Sequence, residues 1–199
     1  MILTGDKIHK EWEKGNIIIN PFNTNNLKPN SYDITLSRGL IIYCKEFMPN
    51  SILDCKELPT DFISKLMPNE GFILYPNQIY LGTTNEKVGS YKYVPFIEGK
   101  SSLGRLGLSI HQTAGRGDLG FIGHWTLELS VLQPLRIYPD MPIGQFVFFK
   151  TKGHRNTELY YDKLTTSKYK GTQKFAEISK MYKNFLEKDT KTLDIDTDK

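Results

Sequence analysis

Short apolar segments separated by turn-forming residues follow one another along most of the chain. Several alternate between apolar and polar positions or are rich in β-branched and aromatic residues: SYDITLS, GLIIYC, GFILYP, QIYLGTT, YVPFIEG, HWTLELSV, PLRIYP and GQFVFF. Glycine, proline and asparagine interrupt these segments at short intervals, as is usual for turns between strands. The pattern predicts a mostly β fold, a β-barrel or jelly roll, rather than alternating βαβ units.

The N-terminal residues have the periodicity of a helix. Thr4 is suited to be its N-cap, and Ile8 and Trp12 lie four positions apart on one face. Gly15 can end the helix, because glycine adopts the backbone conformation that follows a helix C-terminus. We therefore expect a short helix over residues 4–14.

The chain changes character after the last predicted strand. Residues 152–173 are polar with clustered Lys, Thr and Tyr, which predicts a loop or flexible arm. Residues 174–188 have apolar residues at spacings of three and four, which predicts an amphipathic helix; these are Phe175, Ile178, Met181 and Phe185. We expect one domain over residues 1–188, with residues 189–199 as a disordered tail.

Composition narrows the class of protein. The 199 residues are enough for one domain with a core, and no apolar run approaches the ~20 residues of a membrane span. The N-terminus lacks the apolar core of a secretory signal, so we expect a cytoplasmic protein with no membrane partner. The net charge of +4 suits a small polyanion such as a triphosphate and does not by itself indicate nucleic-acid binding.

A glycine-rich stretch, residues 98–130, holds the candidate chemistry. It contains Lys100, Ser101, Ser102 and Arg105 in a glycine-flanked turn. Hydroxyls and backbone N–H groups in such a turn can hold phosphate oxygens, and the two cations add charge-assisted hydrogen bonds. The alternative is an ordinary polar turn with a surface arginine, and local composition alone favours that alternative.

Two carboxylates follow this turn. Asp118 lies in the turn GDLG, and Glu128 lies in the apolar strand WTLELSV. Strand alternation places Glu128 on a polar face that Thr126 and Ser130 complete. Local patterns also allow Asp118 to be a simple turn former and Glu128 a solvent-facing strand residue. Their closeness in sequence to the phosphate-like turn favours a functional role.

Taken together, these motifs resemble the dCTP deaminase family of the trimeric dUTPase-like superfamily. EGKSSLGRLGL, HQTAGRGDLGF and GHWTLELS resemble its active-site motifs, and KPNSYDITLS, PIGQFVFF and SKYKGTQ resemble its early strand, late strand and C-terminal arm. The similarity covers most of residues 28–173 in the order that the family has. It implies a dUTPase-like β fold, a homotrimer with sites between subunits, and deamination of dCTP to dUTP and ammonia.

The resemblance also implies roles for individual residues. Glu128 matches the catalytic base, which removes a proton from the water that attacks carbon 4 of cytosine. Ser101, Ser102 and Arg105 match residues that bind the triphosphate and order the site. Lys100 stands where the family usually has arginine, so the charge remains but the bidentate fork is lost.

Further residues are expected to bind the substrate. The TAG segment matches backbone that contacts the pyrimidine edge, and Asp118 matches an aspartate near the deoxyribose and phosphates. The arm would close over the nucleotide, with Thr172 as the alternative to Gln173. The substrate-binding residues expected outside the phosphate turn are Thr113, Ala114, Gly115, Asp118, Thr126, Tyr161, Lys168 and Gln173.

The motifs also separate related activities. The H-x-E…P-C-x-x-C signature of zinc deaminases is missing, so we expect no zinc and no protein metal site. Glu128, together with the lack of a glycine-rich phosphate loop at the end of the chain, favours a deaminase over a simple dUTPase. Gly115 favours the bifunctional type that continues to dUMP and diphosphate, with Asp118 activating a second water. Gly117 and Leu119 depart from the family pattern beside Asp118.

Three alternatives remain open at this point: a monofunctional dCTP deaminase, a dUTPase and a catalytically inactive nucleotide-binding protein. The resemblance further implies Mg2+ bound with the triphosphate rather than in a protein cage. It also makes dTTP a candidate inhibitor.

Overall fold

A computed structural model of the chain describes residues 1–43, 52–153, 156–171 and 174–186. In order, these residues form α1 (Gly5–Glu13), β1 (Ile18–Asn20), β2 (Tyr32–Thr35), β3 (Gly39–Tyr43), β4 (Phe62–Leu66), β5 (Phe72–Leu74), β6 (Tyr80–Gly89), β7 (Tyr93–Gly99), α2 (Ser101–Gly104), β8 (Leu108–Ser109), β9 (Ile122–Val131), β10 (Leu135–Ile137) and β11 (Pro142–Lys150). Short 3-10 helices cover Thr24–Asn26, Thr157–Leu159 and Met181–Asn184. The predicted mostly β fold is confirmed.

The strands form antiparallel sheets. The largest has the order β4-β3-β6-β9-β8, with β1 also paired to β6, and a second sheet has the order β2-β11-β7. A separate pair joins β10 to β5. The central β6–β9 pairing places Leu81 opposite Glu128 and Tyr80 opposite Leu129.

The sheets share one apolar core. On β9, Trp125, Leu127 and Leu129 are buried while the residues between them are half-buried, as the alternation predicts. Phe146 and Phe148 of β11 are fully buried in the same cluster. Burying one such side chain contributes about 1.5–3 kcal/mol, so the core fixes which face of β9 points outward.

The predicted N-terminal helix is confirmed as α1. The side chain of Thr4 caps it by accepting a hydrogen bond from the N–H of Lys7. Ile8 is fully buried, and the ring of half-buried Trp12 stacks on Phe22 at 3.9 Å between centroids. Gly15, just beyond the helix, has a positive φ of 70°. The helix therefore packs on the sheets through the face that its periodicity indicates.

The predicted C-terminal helix is wrong over the residues that the structure describes. Residues 174–180 are irregular, and only Met181–Asn184 form a 3-10 turn. The N–H groups of Glu177, Ser179 and Lys180 donate to the hydroxyls of Thr126, Tyr43 and Tyr169, respectively. Tertiary partners thus take the donors that a helix would use, and Phe175 of the expected apolar stripe is 65% exposed.

Among the residues that the structure describes, three strands lie outside the segments that the sequence pattern predicts. They are β1, β4 and β8. The sequence of β4, FISKL, does not alternate between apolar and polar positions, and all five of its residues are exposed. Residues 189–199 and Gln173, with its alternative Thr172, lie outside the described residues. No helix in the described part of the chain is long and apolar enough to cross a membrane.

Candidate functional site

A cavity of about 480 Å³ opens beside the outward face of β9. Its wall combines that strand, the 112–118 segment, the end of β3 and C-terminal residues within the ranges 161–171 and 177–179. Five of the predicted site residues line it: Thr113, Asp118, Thr126, Glu128 and Tyr161. The structure therefore brings the predicted base and the second carboxylate to one cavity.

Glu128 is half-buried on β9, and its backbone is held from both sides. The residue lies opposite Leu81 of β6, and its N–H donates to the carbonyl of Ile110 at 3.0 Å. Its Oε2 accepts a hydrogen bond of 2.8 Å from the backbone N–H of Gln112. Within the described part of the chain, Oε1 accepts no hydrogen bond, so this oxygen is available to a ligand.

Asp118 is exposed at the rim of the same cavity. Its carbonyl accepts a hydrogen bond from the N–H of Phe121, which closes the turn leading into β9. The turn is held to β7, because the N–H of Gly117 donates to the carbonyl of Pro95 at 2.8 Å. An exposed carboxylate on an anchored turn can bind or activate a water molecule near a ligand.

Two glycines in this segment occupy positions too crowded for a side chain. A Cβ on Gly115 would lie 2.8 Å from the carbonyl oxygen of Ile97. A Cβ on Gly117 would lie 2.3 Å from the indole of Trp125. The Trp125 ring fills the space in front of Gly117, so no side chain fits at that position. Ala114 is exposed and does not line the cavity.

The phosphate-like turn lies elsewhere in the chain. Ser101 and Ser102 are exposed at the start of α2, and the guanidinium of exposed Arg105 donates to the carbonyl of Ser101 at 3.0 Å. The Nζ of Lys100 lies 2.8 Å from Asp33 Oδ1 in an ion pair. None of these four predicted residues lines the cavity of its own chain. In a single chain, the phosphate-like turn and Glu128 therefore do not line the same cavity.

The C-terminal arm covers part of the cavity. Tyr161, Tyr169 and Gly171 line it, while Lys168 is half-buried and lies off it. The Tyr161 hydroxyl accepts a hydrogen bond from the N–H of Tyr169, and its ring packs edge-on against Phe121 at 5.4 Å between centroids. Within one chain, the arm therefore reaches the cavity through tyrosine rings rather than through the lysine.

Two phenols of the cavity stay neutral at physiological pH. Burial raises the pKa of Tyr43, and the nearby Tyr169 and Glu128 raise it further. Burial likewise raises the pKa of Tyr161. Both hydroxyls therefore remain hydrogen-bond donors and acceptors across the pH range in which a carboxylate base works.

The sequence analysis did not predict several residues that line the cavity. One is His124, which lies on the polar face of β9 two positions before Thr126. The alternation of β9 could have identified it, because it places both residues on the same face. Its Nδ1 is 3.1 Å from the carbonyl of Thr84, so Nδ1 bears the proton and Nε2 is the ring nitrogen left for a ligand. No sequence pattern indicated that Gln112 and Glu177 line the cavity, because their positions there depend on contacts between segments distant in sequence.

The described residues contain no cluster of three or more His, Cys, Asp or Glu side chains that could hold a metal ion. Carboxylate, hydroxyl and imidazole groups line the cavity instead. The arrangement suits a polar ligand beside Glu128.

The comparison with known families gives the decisive observation. The family model described as dCTP deaminase-like matches residues 2–151. The chain belongs to the dCTP deaminase-like family.

Relatives cover almost the whole chain. A protein of Clostridium beijerinckii named "dCTP deaminase, dUMP-forming" is 44% identical over 186 residues, covering 93% of this chain and 99% of the relative. One of Clostridium botulinum (strain Alaska E43 / Type E3) with the same name is 43% identical, with the same two coverages. A third with that name, from Leptospira biflexa, is 39% identical and covers 94% of this chain and 100% of the relative.

A solved structure supports the fold. The crystal structure of 2'-deoxycytidine 5'-triphosphate deaminase from Agrobacterium tumefaciens superimposes with a TM-score of 0.57 at 19% identity. The match covers 74% of this chain and 47% of that chain. The family's β architecture is therefore present in this protein.

Proposed function

We propose that this protein converts dCTP into dUMP, ammonia and diphosphate in two hydrolytic steps. The observation on which the proposal depends is the position of Glu128 on the polar face of β9, at a cavity that also contains Asp118. The name dUMP-forming dCTP deaminase, shared by relatives that the chain matches over 99% of their length, supports both steps.

In the first step, Glu128 is the general base for attack on the cytosine ring. Its carboxylate takes a proton from water, and the water oxygen bonds to carbon 4. The same carboxyl group passes that proton to ring N3. It then takes the proton of the new C4 hydroxyl and delivers it to the amino group, so the C4–N bond breaks, ammonia leaves and the C4 carbonyl of dUTP forms. General acid–base assistance of this kind contributes about 10²–10⁴-fold to a rate. The fixed Oε2 and available Oε1 of Glu128 suit it to this transfer.

In the second step, Asp118 activates another water molecule. That water attacks the α-phosphorus of dUTP, and the bond to the bridging oxygen breaks, releasing diphosphate and leaving dUMP. The exposed carboxylate at the cavity rim supports this role. The segment contacts β7 at Gly115, whose carbonyl accepts a hydrogen bond from the N–H of Ile97 at 2.7 Å, and a Cβ there would lie only 2.8 Å from the Ile97 carbonyl oxygen.

The complete site includes a second subunit. In this proposal, three chains form a homotrimer, and the turn Lys100–Arg105 of one chain binds the triphosphate held in the cavity of its neighbour. The support is that Ser101, Ser102 and Arg105 are exposed and lie off the cavity of their own chain. Thr113, Ala114 and Thr126 then contact the base, and Tyr161, Lys168 and Gln173 close over the nucleotide.

The substrate enters as its magnesium complex. Phosphate oxygens and water would hold the Mg2+, as is usual for this ion with a triphosphate. In this proposal the reaction takes place in the cytoplasm as part of the supply of dUMP for dTTP, and dTTP competes with dCTP for the cavity.

Product analysis with and without one substitution tests the proposal. Purified protein incubated with dCTP and Mg2+ should release ammonia and dUMP in equal amounts. Glu128→Gln should abolish ammonia release but still bind dCTP, because the amide keeps the shape of the side chain and cannot accept the proton. Ammonia with dUTP would establish a monofunctional enzyme, and dUMP from dUTP alone would establish a dUTPase. Normal deamination by Glu128→Gln would refute the role of Glu128.

A further inference from the structure

Gln112 contacts Glu128 and its strand through three hydrogen bonds. Its backbone N–H donates to Glu128 Oε2 at 2.8 Å. Its side-chain Nε2 donates to the backbone carbonyl of Glu128 at 3.1 Å and to Ser130 Oγ at 3.0 Å. One residue therefore holds both the carboxylate and the backbone of the proposed base.

The side chain of Gln112 acts where regular strand pairing ends. The β8–β9 ladder pairs Ser109 with Ser130, and the N–H of Glu128 still donates to the carbonyl of Ile110. Beyond that bond, the chain leaves β9 towards the exposed Thr113 and Ala114. The Gln112 amide adds two bonds to β9 at this point, so the backbone N–H of the same residue stays against the Glu128 carboxylate.

We propose that Gln112 is a positioning residue for deamination, whose side chain holds its own backbone N–H against Glu128 Oε2 and thereby presents Oε1 to the water and the cytosine ring. The inference rests on the role of Glu128 proposed above.

This arrangement predicts an effect on one step of the reaction. Without the amide, the 111–113 segment loses two attachments to β9, and Glu128 gains rotamer freedom that removes it from the attacking geometry. The attack on carbon 4 depends on that geometry. Hydrolysis of dUTP depends on Asp118, which is anchored separately through Gly117 and Pro95. Gln112 should therefore influence deamination far more than dUTP hydrolysis.

The test uses the full-length protein and a matched control. Gln112→Met keeps the length of the side chain and removes both donors. Gln133→Met makes the same change at an exposed glutamine, whose Nε2 donates to the carbonyl of Leu106 at 3.4 Å, away from the cavity. For each variant, kcat and KM are measured with dCTP by ammonia release and, separately, with dUTP by dUMP release.

We expect Gln112→Met to lower kcat for deamination on the order of tenfold, the effect of losing one to two hydrogen bonds. KM for dCTP and the rate with dUTP should stay within about twofold of the Gln133→Met control. Ser130→Ala removes one of the two acceptors and should lower the same kcat less. The double variant Gln112→Met/Ser130→Ala should have the same deamination kcat as Gln112→Met, because the Ser130 hydroxyl acts only through its hydrogen bond with the Gln112 amide.

Two outcomes would overturn the inference. One is a deamination kcat for Gln112→Met that equals the control. The other is an equal loss of deamination and dUTP hydrolysis, which would indicate a general structural role for Gln112. The Glu128→Gln variant separates this inference from the proposed function. If Glu128→Gln still deaminates dCTP, the proposed base is wrong; if it is inactive while Gln112→Met matches the control, only the positioning role is wrong.

Discussion

Glu11 of α1 is a carboxylate that folding removes almost entirely from water, with 2% of its surface exposed. Its Oε1 lies 2.9 Å from the ammonium of Lys7, and its Oε2 accepts hydrogen bonds from Lys92 and Asn16. The hydrogen bond from Lys7 is the largest influence, and with Lys92, Tyr93 and Asn16 it outweighs burial and lowers the pKa of Glu11 to about 2. This carboxylate therefore ties the helix to the β7 side of the sheets.

Glu11→Gln should destabilise the fold at neutral pH, on the order of 2 kcal/mol. The folded pKa lies below the unfolded value of 4.5, so the contribution is complete above that value and disappears as the pH falls towards 2. Denaturant unfolding at pH 7 and near pH 3 measures the free energy of unfolding of each protein. The difference in this free energy between Glu11→Gln and the wild type should be smaller at the lower pH. Glu13→Gln, at the exposed partner of His9, is the control and should change little. A difference that does not depend on pH would contradict the ionic origin.

The sequence alone predicted some of the residues that line the cavity but not others. The polar face of β9 follows from alternation alone, so Thr126 and Glu128 were predictable and the structure places both at the cavity. Gln112 was not predictable, because its three bonds to β9 depend on the approach of a segment 16–18 residues away in sequence. Periodicity describes one element at a time, and hydrogen bonds between elements do not appear in it.

At the scale of elements, the C-terminal segment shows tertiary contacts overriding local preference. The spacing of its apolar residues suits an amphipathic helix, yet the N–H of Glu177 donates to Thr126 Oγ1 at 3.0 Å. The next two donors along the segment bond to the hydroxyls of Tyr43 and Tyr169. A short isolated helix is marginal in water, so three hydrogen bonds to the body of the protein suffice to favour the extended path.

Thr126→Val should weaken the attachment of residues 174–180 to β9, and the substituted residue lies outside that segment. Valine keeps the shape of threonine but cannot accept the Glu177 N–H, and losing one hydrogen bond of about 1 kcal/mol should speed amide exchange near residue 177 about fivefold. Hydrogen exchange followed by mass spectrometry measures the change. Ser109→Ala, at an exposed position on β8, is the control. Unchanged exchange around residue 177 would show that the Thr126 hydroxyl does not hold the segment.

At the scale of the whole molecule, the cavity of one chain is lined by only one half of the proposed site. Arg105 bonds to Ser101 on the exposed α2 turn, and Glu128 lines the cavity beside β9. A site that spans two subunits brings them together, and in a closed ring each chain supplies one half to each of two sites. In the homotrimer proposed above, catalysis would therefore depend on assembly.

Mixed trimers test that dependence. Arg105→Ala and Glu128→Gln should each be inactive or nearly so alone. Co-expressed in equal amounts, they should regain about a quarter of the wild-type rate, since random assembly pairs an intact Glu128 with an intact Arg105 at about one interface in four. Ammonia release by the purified mixture measures it. A mixture as inactive as its parents would place both residues of each site in the same chain.

The sequence by itself determined the mostly β class, the helix α1, the two faces of β9 and the family. These features follow from local periodicity, turn residues and motif spacing, which a single stretch of chain contains. Only the tertiary structure decided that residues 174–180 run as an irregular segment along the cavity, that Gln112 holds Glu128, and that the Ser101–Arg105 turn does not line the cavity of its own chain. The physical reason is that each depends on which distant group receives a hydrogen bond or fills a space, and folding settles that for the chain as a whole.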